Sequence, residues 1–160
     1  MRKLTPFSLM ILFLFSSCSK NIKTELTDVQ KSAIVAEVEK VHGDLIANLS
    51  KLDIEFWTEP WSMDEFIAAS SGVNYFTDLK EFRDSVKYWF SLRESQQVKI
   101  VERNMKVLAP DLVLLTSILN WDIQFKNGEQ VNSKSLTTVL WRKESEGWKG
   151  ICLHESWKGN

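Results

Sequence analysis

The chain has 160 residues, 44% of them hydrophobic and 26% charged, which bounds it to one ordinary globular domain with a modest core. Its formal net charge of −1 excludes a general nucleic-acid binder, because such proteins need a basic footprint. No glycine-rich phosphate loop is present, and the seven tryptophans point to a core or pocket built from large rings.

Arg2 and Lys3 precede an apolar run over residues 7–15. That run is far shorter than the roughly 20 residues a spanning helix needs, so residues 1–17 are expected to be a secretory signal peptide. Ser16-Ser17-Cys18 resembles the lipobox of bacterial lipoproteins. In that class the signal is cut before the cysteine, which is then acylated. The resemblance implies lipid attachment at Cys18, a short polar leader over residues 18–24, and a domain over residues 25–160. Several acyl chains hold a protein stably where a single one does not. The expected location is the bacterial cell envelope, facing the periplasm or the exterior, with membrane contact by lipid anchor only. Cys152 is then left without a thiol partner and is expected to be a buried small hydrophobe.

Thr27 and Gln30 make a capping box. Val29, Ile34, Val38, Val41, Leu45, Leu49 and Leu52 then recur at three-and-four spacing, which predicts a long amphipathic helix. His42 is read as a water-facing position on it. A short second helix is expected after Asp53, ending near Pro60. A short strand is expected over residues 64–69 and a turn at Ser70-Ser71-Gly72. Thr77 or Asp78 caps a third helix carrying Leu79, Phe82, Val86, Trp89 and Phe90 on one side. Strands follow over 97–109, 112–125, 131–143 and 148–157, joined by Pro110-Asp111, Asn127-Gly128 and residues 144–147. In 112–125, Val113, Leu115, Leu119, Trp121, Ile123 and Phe125 alternate onto one face, and Leu112, Leu114 and Ile118 make the other apolar too. A sheet that is apolar on both faces needs two covers.

The order of elements resembles the nuclear transport factor 2-like superfamily, in its SnoaL-like and ketosteroid-isomerase-like branches. The residues that carry the resemblance are Val139-Leu140-Trp141-Arg142-Lys143, Gly147-Trp148-Lys149 and His154-Glu155-Ser156, with Val107-Leu108-Ala109-Pro110-Asp111-Leu112-Val113 before them. The resemblance covers about residues 25–157. It implies an α+β fold of the cystatin-like kind: a cone-like, strongly bent mixed or antiparallel sheet, covered on its concave side by the N-terminal helices. It also implies a homodimer through the outer sheet face. Many members carry several unrelated activities on this fold, so function has to be argued from the site.

For chemistry, the candidate pair is His154 with Asp53. His154 is expected on one strand face with Trp148, Gly150, Cys152 and Ser156, where Gly150 leaves room for a ligand. Asp53 follows the first helix, where many family members place an acid. As a pair the two could serve as general acid and base; as structural groups they could bond within the sheet and cap the second helix. Trp57, Trp89, Trp121 and Trp141, with Tyr75, are the expected ligand-binding residues, since small-molecule sites combine apolar walls with a few polar groups. Two histidines and one free thiol match no metal-ligand spacing, and no cofactor is implied. The reading is an envelope-tethered domain that binds a small apolar ligand or a partner. The alternative is a lyase or isomerase acting on a small organic substrate through His154 and Asp53.

Overall fold

The computed structural model describes residues 25–69 and 74–158. The expected signal peptide, Cys18, the leader and the turn at Ser70-Ser71-Gly72 lie outside the described residues.

Four long strands follow one another as an antiparallel meander: β3 (Arg93–Ala109), β4 (Leu112–Phe125), β5 (Gln130–Glu144) and β6 (Gly147–Trp157). A short β1 (Ile67–Ala69) joins β6 in parallel, and β2 (Tyr75–Phe76) pairs antiparallel with β1. The result is one mixed six-stranded sheet in the order β2-β1-β6-β5-β4-β3. The architecture is the α+β one expected, with a curved sheet and a few helices. β4 alternates as its residues dictate: Val113, Leu115, Ser117, Leu119, Trp121 and Ile123 are buried on the inner face. Asn127-Gly128 closes the β4–β5 hairpin with Gly128 at φ +90°, a conformation open to glycine and costly for most other residues.

The bend has a local cause. Register shifts interrupt β3 at Arg93/Ser95, Ile100/Glu102 and Val107/Ala109, and another falls between β5 and β6 beside Leu140/Trp141. Each extra residue in one strand kinks it and increases its twist.

Three helices cover the inner face. The helix α1 (Asp28–Leu49) begins at the Thr27–Gln30 capping box and buries Val38, His42, Leu45, Ile46 and Leu49. The short α2 (Ile54–Thr58) starts at Asp53, whose side chain accepts from the Glu55 and Phe56 amides at 3.0 and 3.3 Å. Asp78 caps α3 (Leu79–Leu92), which buries Leu79, Phe82 and Phe90. β3 leaves α3 without a loop and starts at Arg93, four residues before the sequence-based boundary. The polar run Arg93-Glu94-Ser95-Gln96 carries no apolar alternation, so its strand character was hidden.

Gly150 has a different use from the one expected. The Gly150 amide donates to the Pro60 carbonyl at 2.8 Å, and the Ser62 amide donates to the Gly150 carbonyl at 3.0 Å. Trp61 lies between them, its ring over Gly150, stacked on Trp141 with centroids 6.0 Å apart. The space that the missing side chain leaves is therefore filled by Trp61 and not by a ligand. A Cβ on Gly150 would lie 2.5 Å from two Trp61 ring carbons. Gly150→Ala should accordingly lose about 1–3 kcal/mol of stability, the usual cost of overpacking. Urea denaturation measures it, and an unchanged midpoint would mean that Trp61 is free to move aside.

Candidate functional site

The inner face and the helices do not close completely on one another. Between them is a cavity of about 370 Å³, near the lower end of the roughly 300–1,000 Å³ of small-molecule sites. Aromatic rings make a large share of its wall. Trp57 packs against Trp61 and Phe82 at centroid distances of 5.7 and 5.1 Å, and Trp121 packs against Trp157 at 4.8 Å.

Three titratable side chains line it: His42 from α1, Arg93 from the start of β3 and Glu155 from β6. Glu155 is held by a cluster of hydrogen-bonding side chains. Trp121 Nε1, which can only donate, gives its hydrogen to Ser135 Oγ at 2.8 Å. Thr137 Oγ1 donates to Glu155 Oε1 at 3.4 Å. Ser135 Oγ and Thr137 Oγ1 lie 3.4 Å apart, and either hydroxyl can be the donor between them. Burial pushes the Glu155 carboxyl above the usual carboxylate range, against hydrogen bonds from Trp157, Ser135 and Thr137 and the charge of Arg93, which pull it down.

Arg93 is fixed from the other side. Its Nη1 donates to Gln96 Oε1, and Gln96 Nε2 donates to the Leu49 carbonyl at the end of α1. Its buried Nε has no hydrogen-bond partner among the described residues, and burial lowers the guanidinium pKa from its ordinary value. His42 is 1% exposed, with both ring nitrogens unpartnered and its ring edge-on to Trp141 at 6.3 Å. Burial, helped by the charge of Arg103, pushes its pKa down to about 4. At neutral pH it is an uncharged imidazole with one donor and one acceptor.

The expected site residues divide. Trp57, Trp89 and Trp121 line the cavity. Trp141 is fully buried behind Trp61 and does not line it. Tyr75 is 62% exposed on β2 and stands outside it. His154 is exposed, on the face opposite Leu153, Glu155 and Trp157. The reason is the bulge in β6: Gly150 pairs with Trp141 and Cys152 with Leu140, so Ile151 is the extra residue and the inward phase shifts from even to odd positions. The regular strand assumed above put His154 on the wrong side of that shift. Cys152 goes outward with it and is half-buried, not buried. Asp53 caps α2 and does not line the cavity. His154 and Asp53 therefore share no reaction centre, and the acid–base reading built on them loses its geometry.

His42 and Glu155, missed as site residues, both left a signal. His42 follows Val38 by four and precedes Leu45 by three, the spacing of the buried helix face. Trp148 stands at an even position while Leu153 and Trp157 stand at odd ones, so β6 cannot be regular if all three are inside. A second depression involves the outer sheet face, bordered chiefly by exposed Lys99, Asn120, Asp122, Asn132 and Lys134, and has no apolar enclosure. Among the described residues no group of three or more His, Cys, Asp or Glu comes together to hold a metal ion.

The depressed pKa of His42 makes stability depend on pH. Between 6.5 and about 4 the unfolded chain takes up a proton that the native one refuses, so stability is full above 6.5 and falls as pH drops. The raised pKa of Glu155 acts oppositely, weakening the native state as pH rises. Comparing wild type with His42→Leu isolates the first effect. From about pH 7 to pH 4.5 the wild type should lose about 2 kcal/mol more than the variant. Denaturant titrations at the two pH values check this, and parallel losses would place His42 in contact with water.

A search of curated proteins finds no match. Solved structures with a similar fold include a hexachlorocyclohexane dehydrochlorinase of the LinA type from Novosphingobium barchaimii. It is 11% identical, with a TM-score of 0.70, and the match covers 83% of this chain and 92% of that one. A nuclear transport factor 2-like protein from Salmonella enterica serovar Typhimurium is 11% identical, with a TM-score of 0.73 and coverage of 81% and 94%. A candidate dehydratase of the same family from Streptomyces avermitilis is 16% identical, with a TM-score of 0.70 and coverage of 78% and 96%. Identities this low establish a shared fold alone. The family model of the SnoaL-like domain matches residues 38–158, and this chain belongs to that family.

Proposed function

We propose that the chain is an envelope-tethered domain that binds a small, largely apolar molecule in the hollow of its cone. The observation that carries this reading is the ring-walled cavity of about 370 Å³ into which His42, Arg93 and Glu155 project. Apolar walls with a few placed polar groups are the usual make-up of such sites. The names of similar folds, a dehydrochlorinase and a candidate dehydratase, support a chamber for small organic molecules. Trp57, Trp89 and Trp121 are the ring contacts in this reading. Titration with the apolar probe 1-aminoanthracene should quench tryptophan fluorescence saturably. Trp89→Ala should weaken binding about tenfold, the equivalent of about 1.4 kcal/mol, while the outward His154→Ala should not. Quenching that never saturates would end this reading.

Tether and partner belong to the same proposal. Acylated Cys18 anchors the domain, and a second copy covers the outer sheet face. There Leu114 aligns with Leu140 across β4 and β5, Ile118 aligns with Leu136, and Leu136 is 48% exposed. Strands that are apolar on both sides need a cover on each, and the three helices supply only the inner one. The full chain expressed in a bacterium should partition into detergent, and Cys18→Ser should move it to the aqueous phase. A form starting at residue 25 should sediment as a dimer, and its Leu136→Arg variant as a monomer. A soluble full chain, or a monomer at tens of micromolar, would count against the corresponding half.

A further inference from the structure

The polar groups of the cavity are unequal in what they still lack. Glu155 already accepts from Thr137 and is hydrogen-bonded by Ser135 and Trp157 as well. The buried donors are the unmet ones. Arg93 Nε and Trp61 Nε1 have no partner among the described residues, and neither has either nitrogen of His42. All three side chains line the same hollow. The salt bridges of the described residues include no Arg93–Glu155 pair. Arg93 is instead tied through a neutral amide, Gln96, which cancels none of its charge. A cavity with surplus donors and one guanidinium held by a neutral partner selects an acceptor that is also an anion. A buried group left unsatisfied is costly, and a charge-assisted bond to it is the stronger kind.

Resting on the reading of this hollow as a ligand site, we propose that its ligand is a small apolar carboxylic acid. Its carboxylate lies on the Arg93 guanidinium and shares one proton with the Glu155 carboxyl, while its apolar body lies among the tryptophans. Two carboxyl groups brought together cannot both stay ionised, so the complex takes up a proton from solvent. The desolvated setting of Glu155 already favours that proton. The titratable groups that face it in the cavity are Arg93 from β3 and His42 from α1, and His42 is neutral throughout the range above about pH 6.

Three probes of one shape test this: 4-phenylbutyrate, its amide and the corresponding amine, each titrated by tryptophan quenching. The acid should bind about tenfold or more tightly than the amide, as expected for a charge-assisted contact. Its affinity should rise as pH falls from about 8 to 6, because binding takes up a proton. Arg93→Gln should abolish the preference for acid over amide. Glu155→Gln should keep acid binding, since its amide supplies the hydrogen, but remove the pH dependence. An amide or amine that binds as well as the acid overturns the proposal, and so does failure of all three while 1-aminoanthracene still binds. If 1-aminoanthracene also fails on folded protein, the ligand-site reading itself is what has fallen. Should Arg93→Gln not fold, the comparison of acid with amide on the wild type still decides.

Discussion

The structure depends on the seat that Gly150 offers to Trp61. Two backbone hydrogen bonds, to Pro60 and from Ser62, clamp the segment after α2 onto β6. The ring they enclose stacks on Trp141, which is 0% exposed. Any side chain at Gly150 would collide with that ring. The clamp sits one residue before the bulged Ile151. A strand that must present Gly150 inward to receive Trp61, and Leu153 inward to pack beside Val139, has to change phase between them. The bulge is that change of phase. It is what brings Glu155 and Trp157 round to the cavity, so the packing contact and the chemical site share one cause.

The cavity is built against the usual rules for a core. Burying a polar group without a partner costs about 1–3 kcal/mol, and His42, Trp61 and Arg93 each carry an unpartnered buried atom. An apolar residue at position 42 would complete the buried stripe of Val38, Leu45 and Leu49. Glu155, by contrast, is hydrogen-bonded by Thr137, Ser135 and Trp157, and Trp121 Nε1 donates to Ser135 Oγ. The hollow thus holds one satisfied acid beside donors that are left open. Proteins break packing rules mainly at functional sites. Among the described residues, His42, Trp61 and Arg93 line this hollow, while Ser117 and Trp141, which also carry unpartnered buried atoms, do not.

What was legible in the sequence was whatever followed a regular period. The alternation of Val113, Leu115, Leu119, Trp121 and Ile123 set the bounds of β4 and its inner face, and Thr27 with Gln30 set the start of α1. The site was harder to read because its residues lie where periods break. Glu155 follows a bulge, so counting by twos from Trp148 sends it outward and brings His154 in. Arg93 begins a strand in a polar run that has no alternation to count. His42 had the right spacing, but a histidine among aliphatics was read by its polarity instead of its position. Trp141 and Tyr75 show the converse limit: a residue type suited to ligand binding does not reveal that Trp61 stands in front of Trp141, or that Tyr75 is exposed outside the hollow.

The two faces of β6 follow from the same count. Beyond Ile151, every inward residue faces the cavity, and every outward one faces the surface on which Leu114, Ile118, Leu136 and Leu140 lie. His154 is aligned with Thr138 there, between the Leu140–Cys152 and Leu136–Ser156 pairs. Adjacent residues thus serve opposite sides of a sheet one residue thick, and which of His154 and Glu155 meets the hollow is decided by a single inserted position. Without the insertion the strand would present an imidazole to Thr137 and Arg93 and turn a carboxyl towards the apolar outer face. A carboxyl there would oppose any apolar cover, and an imidazole inside would add no acidic group to set against the guanidinium. The bulge therefore assigns the chemistry of both surfaces at once: an acid facing Arg93 within, and an outer face on which an apolar cover meets no buried carboxylate from this strand.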